Sequence, residues 1–173
     1  PAMRSPPTPD ALQRLRHQHG KALALAHLVD TGMDRLPLPG AGATLERWRR
    51  LSEVAAHDLS LAKLFEGHTD ALAIRHELGA ADAQAGSRWG TWCAEPPDAR
   101  VTMEAPVDDG ASAAPVRLHG TKSWCSGARS VTHAVLSCWN EAGEPCLAEV
   151  TDMPARDRPA DHRIPPHRAY RAE

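Results

Sequence analysis

The stretch Leu118-His119-Gly120-Thr121-Lys122-Ser123-Trp124-Cys125-Ser126-Gly127-Ala128 gathers side chains able to act on a flat ligand. His119-Gly120 marks a turn between two apolar-alternating segments, and the second carries a Trp two residues before a hydroxyl. Strand side chains alternate with period two, so an extended Lys122–Cys125 segment sets Trp124 and Ser126 on one side. An aromatic face beside a small donor can stack on a planar ring and hydrogen-bond its edge. A core Trp next to a turn Ser is the plainer alternative.

Other chemistries fail on spacing. As a hydrolytic nucleophile Ser126 lacks a G-x-S-x-G context. His57, His68 and His76 fall on adjacent predicted helices without H-E-x-x-H or i, i+4 spacing, and read as solvated or hydrogen-bonded. Cys93, Cys125, Cys138 and Cys146 have no C-x-x-C spacing, so no metal ligand is assigned; they read as reduced, small buried residues of predicted strands. Pro39-Gly40-Ala41-Gly42-Ala43 has neither a P-loop Lys nor a preceding strand, which argues against a phosphate cradle.

The elements that must position these residues change character near residue 80. Four prolines in residues 1–9 predict a disordered or extended start. Asp10 can cap a helix over Ala11–Val29 with Leu12, Leu15, Leu23, Ala26 and Leu28 as its apolar set. A Gly- and Pro-rich loop spans residues 31–43, and Leu45 with Trp48 opens a helix reaching about His57. Asp58 can cap a further helix, Leu59–Leu78, closed by Gly79. Gly67 inside that helix costs roughly 1 kcal/mol against Ala and suggests close approach of a neighbouring element. Beyond the linker at Ala80–Ser87 the period becomes two. Strands are predicted at Trp89–Ala94, Arg100–Glu104, Val116–Leu118, Lys122–Cys125, Thr132–Trp139 and Cys146–Val150. Turns are predicted at Asp108-Asp109-Gly110 and Asn140-Glu141-Ala142-Gly143. Residues 153–173, crowded with Arg, Pro and His, read as a disordered tail that could stem from an altered reading frame.

Four stretches, in order, resemble the acyl-CoA dehydrogenase family. Gly120-Thr121-Lys122-Ser123-Trp124-Cys125-Ser126 looks like its flavin-contacting G-x-K-x-W segment ending in Trp-x-(Ser/Thr). Trp89 to Pro96 looks like the earlier flavin-facing strand, Leu61 to Ile74 like the penultimate helix of the N-terminal domain, and His133 to Ser137 like the strand after the Trp motif. The resemblance covers roughly residues 45 to 151. It implies an α+β fold: an all-α N-terminal domain (10–82) followed by an antiparallel β-barrel-like middle domain (86–152), incomplete, in a truncated chain.

The resemblance also implies roles. Trp124 would pack against the isoalloxazine of FAD, Ser126 would reach its N5 edge, and Cys125 would contribute main chain. Trp92, Cys93 and Ala94 would line the pyrimidine side. An acyl-CoA-type thioester would be the substrate, placing the protein in fatty acid metabolism. Two departures stand out. Ala94 occupies the family's usual Thr position, and Pro97-Asp98-Ala99-Arg100 replaces its small-residue loop, which puts the thioester side in question. The reaction needs a carboxylate base to take the α-proton while N5 accepts the β-hydride. That base belongs to a C-terminal helical domain for which this chain has no room. No catalytic residue is assigned, because Glu66 reads as a solvated helix residue and Glu95 as a structural residue before proline. The expectation is an N-terminal portion, inactive alone, binding FAD weakly or not at all. A flavin-dependent monooxygenase of the same superfamily and a flavin-free subunit pairing with a complete homologue are the alternatives.

Composition is compatible with this. Apolar residues at 42% and charged ones at 24% give a globular balance, and a formal charge of −2 supplies no basic field for nucleic acid. No apolar run approaches the roughly 20 residues of a membrane span. The expected setting is cytoplasmic, with a homo-oligomer or self-association through exposed apolar surface.

Overall fold

A computed structural model describes residues 10–104, 116–151, 153 and 168–171. The predicted start at residues 1–9, the Asp108-Asp109-Gly110 turn and most of the 153–173 tail lie outside the described residues. The chain divides into two compact units, Pro1–Arg88 and Trp89–Glu173. The first holds helices and the second strands, an α+β arrangement.

In the first unit, α1 (Asp10–His19) and α2 (Leu25–Asp30) replace the single helix predicted over Ala11–Val29. Gly20 enters the left-handed region at φ 52° and Leu23 is extended, so the chain breaks after a short 3-10 turn. His27 restarts it by accepting the Ala24 N–H at Nδ1, 3.0 Å away. Of the predicted apolar set, Leu12, Leu15, Leu23 and Leu28 are buried and Ala26 is half-buried, and Leu25 joins them in the core.

The third and fourth helices, α3 (Thr44–Ala55) and α4 (Leu59–Glu77), form a hairpin. The Asp58 side chain caps α4 by accepting from the Leu61 N–H at 2.7 Å. At the other end the Gly79 N–H donates to His76 O and the Ala80 N–H to Arg75 O, with Gly79 at φ 69°, a Schellman ending. Phe65, Val54, Leu25, Leu28 and Met33 make the core of this unit. The two apolar residues that open α3 point outward: Leu45 and Trp48 are exposed, while Arg47 and Arg50 are buried along with Val54. Arg47 explains the inversion. Its guanidinium bonds Asp70 at 2.7 Å, Thr69 Oγ1 and Pro37 O, tying α3 to α4 and to the preceding loop.

The second unit is an open mixed sheet of β1 (Trp89–Trp92), β2 (Val101–Glu104), β3 (Arg117–Gly120), β4 (His133–Trp139), β5 (Pro145–Val150) and β6 (Arg168–Arg171). The strand order is β3-β2-β4-β5-β6, with β1 also on β4. This corrects the antiparallel barrel-like expectation. Both β1 and β2 run parallel to β4, since long connections rather than tight hairpins bring them there. Antiparallel pairs are β2·β3, β4·β5 and β5·β6.

Two further corrections follow. No strand forms at Lys122–Cys125, and Arg168–Arg171 of the expected tail pairs with β5. Strand pairing is made by backbone groups, so a composition poor in apolar residues does not forbid it. Gly120 ends β3 at φ 114°, where a Cβ would collide with the Arg100 carbonyl. No helix among the described residues is long and apolar enough to cross a membrane.

Candidate functional site

Along one edge of β4, β1 pairs with His133 to Leu136 and β2 only with Trp139. Between them the chain at Cys93–Pro96 peels away, leaving this edge of β4 without a ladder partner around Ser137, whose other side pairs with Leu147 of β5. Side chains fill the gap. Lys122 Nζ donates to Ser137 O at 3.1 Å, to Ser137 Oγ at 2.6 Å and to Glu95 Oε1 at 3.2 Å. Ser137 Oγ also lies 3.2 Å from Cys93 O and 2.9 Å from Glu95 Oε1, and the Trp139 indole N–H donates to Glu95 Oε2 at 2.7 Å. The Arg100 guanidinium sits 4.1 Å above the Trp139 ring.

The Lys122 side chain is only 6% exposed and that of Glu95 21%. Burial alone would raise the Glu95 carboxyl. Hydrogen bonds from Trp139, Ser137 and Lys122, with the Lys122 charge, outweigh it and hold the group below its ordinary 4.5. Glu95 is therefore an ionised structural hub rather than a free base. Glu66, the other carboxylate considered, is paired with Lys63 at 2.7 Å on the surface of α4.

Lys122 fixes the start of the segment that carries Trp124. That segment is a chain of turns. Ser126 N–H donates to Trp124 O at 2.8 Å, Ala128 N–H to Cys125 O at 3.2 Å and Ser130 N–H to Gly127 O at 2.7 Å. Trp124 lies in the left-handed region at φ 57°, the single non-Gly residue with positive φ among those described. From the buried end of β1 the Trp92 indole N–H donates to Ser126 O at 3.2 Å and clamps the turn. Gly90 makes room for that indole, because a Cβ there would come within 2.9 Å of the Trp92 ring.

The predicted site residues separate into two groups. Trp92 is buried and its N–H is occupied by Ser126, so it acts as scaffold rather than lining a pyrimidine edge. Cys93, Ala94, Trp124 and Ser126 are exposed and Cys125 half-buried. Trp124 and Ser126 share no strand face, since the segment is not extended; the turn presents both to solvent, Trp124 at 69% exposure. Desolvation raises the Cys93 and Cys125 thiols above their ordinary 9.0 despite the nearby Lys122 charge, so neither is poised as a thiolate nucleophile.

Comparison of the chain with protein-family models and with curated proteins yields no match. The residues that sequence reading missed are Lys122 as an anchor, with Ser137 and Trp139 as its partners. The available signal was a Lys opening a predicted strand and a Glu before proline closing another, two residue types seldom buried unless paired.

In the helical unit, His68 Nε2 lies 3.2 Å from Asp34 Oδ2, and both residues wall a cavity of about 890 Å³ with Arg35, Leu72 and Arg75. None of the sequence-predicted site residues lines it. Among the described residues no group of three His, Cys, Asp or Glu could hold a metal ion.

Proposed function

We propose that the Trp124 turn is a ring-stacking element and that the chain contributes one wall of a flavin site in an acyl-CoA dehydrogenase-like flavoprotein. The observation that carries this reading is an exposed Trp held at φ 57°. A bulky residue in that conformation costs about 1–3 kcal/mol, and such strain persists where surrounding contacts hold a residue for use. Here the contacts are the Trp92 clamp below and the Lys122 anchor before it. Trp124 offers a free aromatic face to an isoalloxazine ring, and the exposed Ser126 beside it a hydroxyl for the ring's edge. The resemblance of Gly120 to Ser126 to the family's flavin-contacting segment supplies the choice of ring. When bound, FAD would take the hydride from an acyl-CoA thioester. The residues of this chain would stack on and orient the ring.

One wall gives weak binding, because affinity falls with the contacts missing on the other side. Titration of FAD into the protein, followed by tryptophan quenching, tests this. Expected is saturable quenching weaker than micromolar that disappears in Trp124→Ala. Quenching unaffected by that change, or none at all, would overturn the reading. A second reading is a flavin-free interaction subunit. It is favoured by Leu45, Trp48 and Leu59, exposed at 78%, 62% and 78%. Concentration-dependent association without flavin quenching would select it.

A further inference from the structure

The outward side of the α3–α4 hairpin carries large apolar side chains next to a recess made of small ones. Leu45, Trp48, Ser52 and Ala55 follow the spacing i, i+3, i+7, i+10, which sets them on one stripe of α3. Leu45 and Trp48 are exposed at 78% and 62%, and Leu59, at the start of α4, at 78%. Between the two helices lies a shallow groove of about 470 Å³, walled by Trp48, Leu51 and Leu59 and lined by the small side chains of Ser52, Ala55 and Ala62.

A face that holds both a projecting indole and a recess two turns further along, about 10 Å away, is complementary to itself. Two α3 helices packed antiparallel about a twofold axis near residues 51–52 bring each Trp48 onto the other copy's Ala55. The same axis brings each Leu45 beside the other copy's Leu59. Charge selects this orientation too. Glu46, Arg49 and Glu53 run along the flank of α3, with Arg49 joined to the two carboxylates at 2.7 and 2.9 Å. A parallel pair would set Arg49 against Arg49 and Glu53 against Glu53. The antiparallel pair brings each Arg49 nearest the other copy's Glu53. Lys63 and Glu66 in the groove wall neutralise each other at 2.7 Å, so the recess suits an uncharged side chain.

We propose that this face is a dimerisation surface whose occupant is a second copy of the chain, seated antiparallel with each Trp48 in the recess at the other copy's Ala55. The pair buries Leu45, Trp48 and Leu59, the large apolar side chains that the helical unit exposes among its described residues. A twofold interface closes on itself, so association stops at the dimer. The proposal rests on the exposed residues that the interaction reading also uses and not on the flavin site.

Sedimentation velocity of the whole protein, from about 1 to about 100 μM, tests this. Expected is a monomer–dimer equilibrium with a Kd on the order of micromolar. Trp48→Glu and Leu45→Glu, both at exposed positions, should each weaken it by at least about tenfold with far-UV circular dichroism unchanged. If one of them fails to fold, the other carries the comparison. Trp48→Ala should weaken the dimer as well. Adding Ala55→Trp to it moves the indole to the other side of the same contact and should recover most of the loss. The FAD affinity of Trp48→Glu, read by quenching, should match that of the unaltered chain, so failure of the dimer and failure of the flavin site show separately. A monomer throughout the concentration range would overturn the proposal, as would association indifferent to Trp48→Glu or species larger than a dimer. A folded double variant as weak as Trp48→Ala would overturn it too.

Discussion

Replacing Lys122 with Met tests the argument that a side chain fills the gap between β1 and β2. Met keeps most of the aliphatic stem, so the loss falls on the charge and its three contacts to Glu95 Oε1, Ser137 O and Ser137 Oγ. The Glu95 carboxylate would remain ionised with only Trp139 and Ser137 as donors, and a β4 carbonyl would lose its partner. Breaking one side of a buried pair costs about 3–5 kcal/mol. Glu95 keeps some solvent, which puts the expectation near the lower figure, about 3 kcal/mol. For a unit of this size that is a fall in Tm of more than about 10 °C. Urea unfolding followed by tryptophan fluorescence suits the measurement, because four of the five Trp residues lie in the strand unit. Glu95→Gln combined with Lys122→Met should recover part of the loss, since no buried charge is then left unpaired. The pH dependence has a fixed sign. The Glu95 carboxyl is depressed, so its contribution is fully present above about pH 4.5 and is lost as pH falls through the lower folded value. Lys122→Met should shrink that acid limb. A cost under about 1 kcal/mol, or a double variant less stable than the single, would refute the reasoning.

Trp124→Gly should be stability-neutral or stabilising by about 1 kcal/mol, because glycine accepts the left-handed conformation freely, while flavin quenching is lost; denaturation and titration of one sample check both. Gly120→Ala should destabilise the β2·β3 pair by at least about 2 kcal/mol through collision with the Arg100 carbonyl, read as accelerated hydrogen exchange at Val101 and Thr102. Asp58→Ala should cost about 1 kcal/mol by removing the α4 cap, measured by thermal unfolding at 222 nm, and Asp58→Asn should retain most of it.

The α4 helix was legible from end to end because cap, apolar residues and terminal glycine agree: Asp58, Leu61, Phe65 and Gly79 do what their types suggest. Where signals compete, local reading fails. Gly20 interrupts an apolar pattern that continues past it, so periodicity alone bridges the break. Leu45 and Trp48 pattern as a buried face, but ion pairs of Arg47 and Arg50 take the inner side of α3. Alternation at Lys122–Cys125 suggests a strand, yet the segment is held by partners far along the chain, Trp92 for Ser126 and Ser137 for Lys122. The sequence reading linked Trp92 to Trp124 and Ser126 through resemblance. The structural role of Glu95 was legible, but the Trp92 clamp, the left-handed turn and the partners of Glu95 were not, because each depends on register between distant strands.

The position of β4 also sets an order of assembly. On one side it meets β5 across a five-residue turn; on the other it must find β1, whose partner residues lie 44 positions earlier in sequence, as with Trp89 and His133. Loop closure makes the first pairing fast and the second slow. The hairpin should therefore be formed in the folding transition state, and β1 should dock after it. Lys122 can bond Ser137 and Glu95 together only once β1, which leads into Glu95, has docked on β4. Folding-rate measurements should give Ala148→Gly a high φ-value and Lys122→Met one near zero, so that Lys122→Met mainly accelerates unfolding. The turn that presents Trp124 would then be the last part of the sheet unit to acquire its shape and the first to lose it.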